Sequence, residues 1–65
     1  MSQSLRILRH LERRPITPMQ ALEQYGVFRL AARINDLRDA GHIIETETVK
    51  RGDKRYARYR LRKSR

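Results

Sequence analysis

The sequence predicts a small α+β fold: three helices, one short strand and a C-terminal two-stranded β-hairpin. Three observations predict it. Apolar residues recur at helical spacing through the first two thirds of the chain; prolines and glycines punctuate that stretch at Pro15, Pro18, Gly26 and Gly41; and the last third alternates around a Gly52-Asp53 turn.

Leu5, Leu8 and Leu11, with Ile7 as the i,i+4 partner of Leu11, form an apolar stripe that predicts a first helix from about Ser4 to Arg13, stopped by Pro15. Ile16, held between prolines, falls in a short extended piece. Thr17-Pro18-Met19-Gln20 then reads as a helix start. Thr17 supplies the cap, Pro18 suits the first helical position, and Gln20 can close a capping box. This second helix is expected to bury Ala21, Leu22 and Tyr25 and to end at Gly26, with Thr17 leaving some first-turn amides pointing outward as a phosphate site. Val27, Leu30, Ile34 and Leu37 form the core face of a third helix over 27–40, with Ala31 beside it and Gly41 as its stop.

The hairpin carries its own register test. A two-residue turn at Gly52-Asp53 places Ile44 opposite Leu61, Thr46 opposite Tyr59 and Thr48 opposite Ala57 on one side. The other side pairs Glu45 with Arg60, Glu47 with Arg58 and Val49 with Tyr56. One face is then largely apolar and the other pairs opposite charges. A one-residue slip destroys both patterns.

At 65 residues the chain holds one domain, 1–65, with residues 1–3 and 63–65 expected to fray. Domains this small bury only roughly 60% of the surface their unfolded chains expose. No cysteine is present to help, and His10 and His42 lack metal-ligand spacing, so no cofactor or metal is expected. His10 lies off the aliphatic stripe and is expected at the surface. His42 is expected to cap the third helix or pack at the strand entrance. No unbroken apolar stretch suits a signal peptide or a bilayer span, so no membrane association is expected. Nor is there a nucleophile–base set, a catalytic carboxylate pair or a phosphate-cradling glycine loop. No enzyme and no small-molecule substrate are predicted.

Charge gives the strongest indication of a partner. Lys and Arg number 16 against seven acids, a net +9, and residues 50–65 hold nine of those cations with Asp53 alone against them. That segment carries +8 and residues 1–49 only +1. So concentrated an excess suits a polyanion, because neutralised phosphates release condensed counterions.

Two helices joined by a tight glycine turn, the second ending in glycine, form a helix-turn-helix pattern. The run Tyr25-Gly26-Val27-Phe28-Arg29-Leu30-Ala31-Ala32-Arg33-Ile34-Asn35-Asp36-Leu37-Arg38, closing on Gly41-His42-Ile43, resembles winged helix-turn-helix domains. It is similar in particular to small phage and prophage helix-turn-helix proteins, and the likeness extends from Leu5 to Leu61. That resemblance implies a winged helix-turn-helix fold and double-stranded DNA as partner. It implies a phage-type transcriptional regulator or an excisionase-like architectural factor, acting in the bacterial cytoplasm at the nucleoid.

The resemblance places the early outward positions of the third helix, Phe28, Arg29, Ala32, Arg33 and Asp36, in the major groove. Arg29 and Arg33, one turn apart, suit a guanine edge and a phosphate or second base; Ala32 is small enough to meet a thymine methyl. Arg33 has an alternative partner in Asp36 at i+3, and Asp36 an alternative role as that clamp rather than as an acceptor from cytosine. Phe28 is expected to pack under the hairpin or first helix, or else to wedge against a sugar or thymine methyl. On the wing, Lys50, Arg51, Lys54 and Arg55 suit phosphates or the minor groove, and Tyr56, directed away from the core, suits stacking or a backbone contact. Tyr59 belongs to the core. Arg58 and Arg60 have acid partners and are left out of the site, and the tail from Arg62 adds only general attraction. A winged-helix RNA binder or a protein-interaction module is the alternative, and a homodimer or cooperative assembly on DNA is left open.

Overall fold

The computed structural model describes residues 2–62, in which α1 (Gln3–Leu11), α2 (Pro18–Tyr25) and α3 (Leu30–Asp39) precede β1 (Ile44–Arg51) and β2 (Lys54–Leu61). The α+β architecture is as predicted. The expected fraying at 63–65 lies outside the described residues. Residue 1 lies outside them as well, and Ser2 caps α1: its Oγ accepts the Leu5 N–H at 3.2 Å. At the other end α1 stops before Arg13. The N–H groups of Arg13 and Arg14 both donate to the His10 carbonyl, at 3.0 and 2.9 Å, and turn the chain toward Pro15.

The buried face of α1 is Ile7, His10 and Leu11, an i, i+3, i+4 set, so the predicted stripe is rotated: Leu8 is half-buried and Leu5 exposed. His10 is the larger correction. It is 9% exposed, and its ring bonds the Tyr25 hydroxyl at 2.8 Å and the Pro15 carbonyl at 3.2 Å. A carbonyl can only accept, so Nε2 carries the proton and, in the neutral ring, Nδ1 accepts from Tyr25. Both nitrogens are satisfied, which removes the penalty for burying them.

Ile16 forms an antiparallel bridge with Tyr59, donating at 2.9 Å and accepting at 2.8 Å. It gives the hairpin the beginnings of a third strand and sets α2 against it. The capping box forms as predicted: Thr17 Oγ1 accepts the Gln20 N–H at 3.2 Å and Gln20 Oε1 accepts the Thr17 N–H at 3.1 Å. Gly26 ends α2 at φ 67°, a left-handed conformation that costs other residues a Cβ clash. Leu22, expected inside, is exposed.

The third helix begins three residues later than predicted. Val27 is buried, but by the turn after Gly26, and Arg29 is the N-cap. Its far end closes with paired bonds from Gly41 N–H to the Arg38 carbonyl (3.0 Å) and from His42 N–H to the Leu37 carbonyl (3.1 Å). His42 therefore caps the helix through its backbone. Ala31, expected beside the core, is exposed.

The hairpin register is the predicted one at every pair from Ile44↔Leu61 to Val49↔Tyr56. Gly52 alone has positive φ at the turn, as a type II′ connection requires. Ile7, Leu11, Ile16, Ala21, Val27, Leu30, Ile34, Leu37 and Ile44 form the core, with Tyr25, Tyr59, Leu61 and Leu8 packed on it. The largest fully buried side chains among these are Ile7, Ile16, Val27 and Ile34; each such aliphatic contributes about 1.5–3 kcal/mol. Arg38 ties α3 to the hairpin, donating from Nε and Nη2 to the Ile44 carbonyl (3.2 and 2.7 Å) and from Nη2 to Thr46 Oγ1 (3.0 Å).

Candidate nucleic-acid interface

The turn between α2 and α3 presents the first group of predicted residues. With Val27 turned inward, Phe28 is left 85% exposed, so its expected packing under the hairpin or α1 is corrected. Arg29 is exposed, and no carboxylate pairs with it among the described residues. No side chain caps α3 and no acid lies in its first turn. The positive end of that helix is therefore not neutralised internally, and Arg29 adds to its field.

Farther along α3 the predicted residues divide. Ala32 and Arg33 are half-buried and Asp36 is exposed. Arg33 Nε lies 3.3 Å from Asp36 Oδ2 without the alignment of a hydrogen bond, and Asp36 Oδ2 also accepts from Ser4 Oγ at 3.4 Å. This carboxylate thus holds a neighbouring arginine and the start of α1. Asn35, which the sequence reading missed, is exposed on α3. Its helical phase, 100° from the core residue Ile34, was the available signal.

The wing residues Lys50, Arg51, Lys54 and Arg55 are all exposed. Their pairing is unusual: Lys50 stands opposite Arg55 and Arg51 opposite Lys54. Like charges directly across a strand pair destabilise it, and no acid pairs with any of the four among the described residues. At the base of the same hairpin the arginines have carboxylate partners. Arg58 Nε donates to Glu47 Oε1 at 2.5 Å, Arg60 reaches that oxygen at 3.5 Å, and Arg62 lies 3.6 Å from Glu45. The predicted Glu45–Arg60 contact is thus replaced by a diagonal one, since Arg60 can reach past its cross-strand neighbour. The Arg58 hydrogen bond, with the nearby Arg58 and Arg60 charges, holds the Glu47 carboxyl below its ordinary value of 4.5.

The fold also joins what the sequence left separate. Arg51, Lys54, Arg55 and the half-buried Tyr56 line a groove of about 550 Å³ with Thr17, Pro18, Met19 and Gln20 of α2. The Ile16–Tyr59 bridge brings these segments together. In that groove the supply of first-turn amides is smaller than expected. Pro18 has no N–H, Gln20 donates to Thr17 Oγ1 and Ala21 to the Thr17 carbonyl. Met19, whose side chain is exposed, keeps the one first-turn amide without a partner among the described residues.

Two helices joined by a glycine turn, the second uncapped beside a cationic hairpin, define a winged-helix protein of the nucleic-acid-binding class. The chain belongs to the winged helix-turn-helix domain family, whose model matches residues 2–64. That family is a DNA-binding one. Among curated proteins and solved structures no significant match is found. No helix is long and apolar enough to cross a membrane, and no group of metal-ligating side chains gathers among the described residues.

Proposed function

We propose that the chain is a sequence-dependent double-stranded DNA-binding domain, with α3 and the Phe28-Arg29 turn in the major groove and Lys50, Arg51, Lys54 and Arg55 on phosphates or in the minor groove. The observation that carries this reading is the wing tip. Two like-charged cross-strand pairs oppose folding of the hairpin, whereas the arginines at its base have acids beside them. An external polyanion offsets that repulsion. Arg29 and Asn35 are the base readers, since arginine matches guanine and asparagine matches adenine through paired hydrogen bonds. Phe28 meets a sugar or thymine methyl and Ala32 allows close approach. Asp36 positions Arg33, and Tyr56 with the Met19 amide completes the phosphate contact. The role that fits best is a small phage-type transcriptional regulator or an excisionase-like architectural factor, acting through occupancy or bending.

Selection of bound sequences from a random duplex pool, followed by two variants, tests the division of labour. Arg29→Ala is expected to cost roughly 1–3 kcal/mol on the preferred site and to relax preference at one position. Lys54→Ala is expected to weaken binding to all duplexes alike. Equal losses from both on every duplex would remove α3 as the reader, and tighter binding to single-stranded RNA than to duplex DNA would favour the RNA alternative. Inverted half-sites one helical turn apart would indicate a dimer on DNA.

A further inference from the structure

Charge outside the wing is unevenly spread. Residues 1–14 carry Arg6, Arg9, Arg13 and Arg14 against Glu12, a net +3. Residues 15–49 carry Arg29, Arg33 and Arg38 against five acids, a net −2. The four early arginines rim a cavity of about 350 Å³ where α1 meets the end of α2, and His10, Gln24 and Tyr25 complete its lining. All four are exposed, and none has a carboxylate within 4.0 Å among the described residues. Arg6 and Arg9 stand at i,i+3 on α1, a spacing at which like charges repel, and Arg13 and Arg14 follow in the turn after it. As at the wing tip, cations are gathered without an internal counter-charge.

The floor of this cavity is built rather than incidental. His10 bonds Tyr25 and the Pro15 carbonyl, and the two rings meet edge to face at 5.7 Å and 88°. That contact fixes the end of α2 against α1, so the backbone that carries the arginines is set before any ligand arrives. The cavity is separate from the wing groove. The two share no lining residue, and they sit at opposite ends of α2, a helix about 12 Å long.

We propose that this corner is a second anion site, selective for a phosphate group. Guanidinium forks match phosphate oxygens through paired charge-assisted hydrogen bonds, and a phosphate monoester brings nearly two charges and three acceptor oxygens. The volume falls within the about 300–1,000 Å³ of small-molecule sites. The phosphate belongs either to a free phosphorylated molecule or to a duplex backbone beyond the footprint of the wing.

Inorganic pyrophosphate, titrated into isotope-labelled protein at constant ionic strength, is the first probe. Saturable shifts are expected at the Arg9 and Arg13 side chains and at the His10, Gln24 and Tyr25 amides. Arg9→Gln with Arg13→Gln should weaken that binding by about tenfold or more, as loss of two charge-assisted contacts does. Both side chains are exposed, so the melting temperature should hold. Lys54→Ala with Arg55→Ala should leave the corner shifts unchanged. Shifts that never saturate or that survive the corner double variant overturn the proposal. So does a glutamate-rich peptide that occupies the corner where pyrophosphate does not. This arm contains no DNA, so it stands or falls independently of the DNA reading. A mixed-sequence duplex then identifies the source. A shallower salt dependence in the corner variant assigns the phosphate to DNA, and unchanged duplex binding with lost pyrophosphate binding assigns it to a free phosphorylated ligand.

Discussion

Glu47 stands between Arg58 and Arg60 at the base of the wing, and its carboxyl is held below its ordinary value first by the Arg58 hydrogen bond. A carboxyl whose folded value is depressed stabilises the fold above its unfolded value, and that contribution is lost as pH falls through the folded value. The pair is exposed to solvent, so the effect on stability is small, but the titration itself is a sharp readout. Carbon-detected titration should place the Glu47 midpoint below 4.5, and Arg58→Gln should move it upward. An unmoved midpoint would show that Arg58 is not its partner. At this same scale the sequence is least legible. His10 reads as a surface residue because its burial depends on Tyr25 and Pro15, fifteen and five positions away. Phe28 reads as a core residue by its chemistry, yet it occupies the outer side of a turn whose inner side Val27 fills. Phe28→Ala should therefore leave the melting temperature nearly unchanged while weakening duplex binding; a marked loss of stability would mean that the ring packs after all.

The elements read best where a local rule suffices. The start of α2 follows from four consecutive residues whose reciprocal bonds both form, and the hairpin register follows from a two-residue turn plus alternation. The start of α3 does not, because Val27 has the right spacing for a helix and is buried by a turn instead. The wing groove is not legible at all, since only the Ile16–Tyr59 bridge brings Thr17–Gln20 beside Arg51–Tyr56. Thr17→Ala removes one half of the capping box and should cost about 0.5–2 kcal/mol in a thermal or denaturant melt. On β2, Leu61→Ala should cost about 2 kcal/mol, toward the low end for a leucine packed on a core. Arg60→Ala should cost well under about 1 kcal/mol, because its ion pair is exposed and long. The reverse order in denaturation midpoints would mean that the strand presents its other face to the helices.

Over the whole molecule the +9 charge divides into cations that the fold neutralises and cations that it leaves for a partner. Arg33, Arg58, Arg60 and Arg62 have carboxylate neighbours, and Arg38 is committed to the Ile44 carbonyl. Around the proposed interface this leaves Arg29, Lys50, Arg51, Lys54 and Arg55. The net +1 of residues 1–49 conceals a second group, the arginine corner on α1, because distant acids cancel it in the sum but not in space. Counterion release turns this division into a measurable slope. Each phosphate neutralised on duplex DNA contributes about −0.9 to the dependence of log affinity on log salt, so five such contacts predict a slope of about −4 to −5. Substituting any one wing-tip cation with alanine should make the slope shallower by about 0.9. Arg58→Ala should leave it unchanged, because that guanidinium already has Glu47. Fluorescence anisotropy with a mixed duplex across a salt series measures all of these. A slope steeper than the interface cations allow, and brought back to their range by Arg9→Gln with Arg13→Gln, would bring the corner arginines into the same complex. If Arg58→Ala flattens the slope as much as Lys54→Ala does, the base of the wing also touches phosphate and the division between paired and free cations fails. Binding insensitive to salt would remove DNA as the ligand and leave the wing as a surface for an acidic protein.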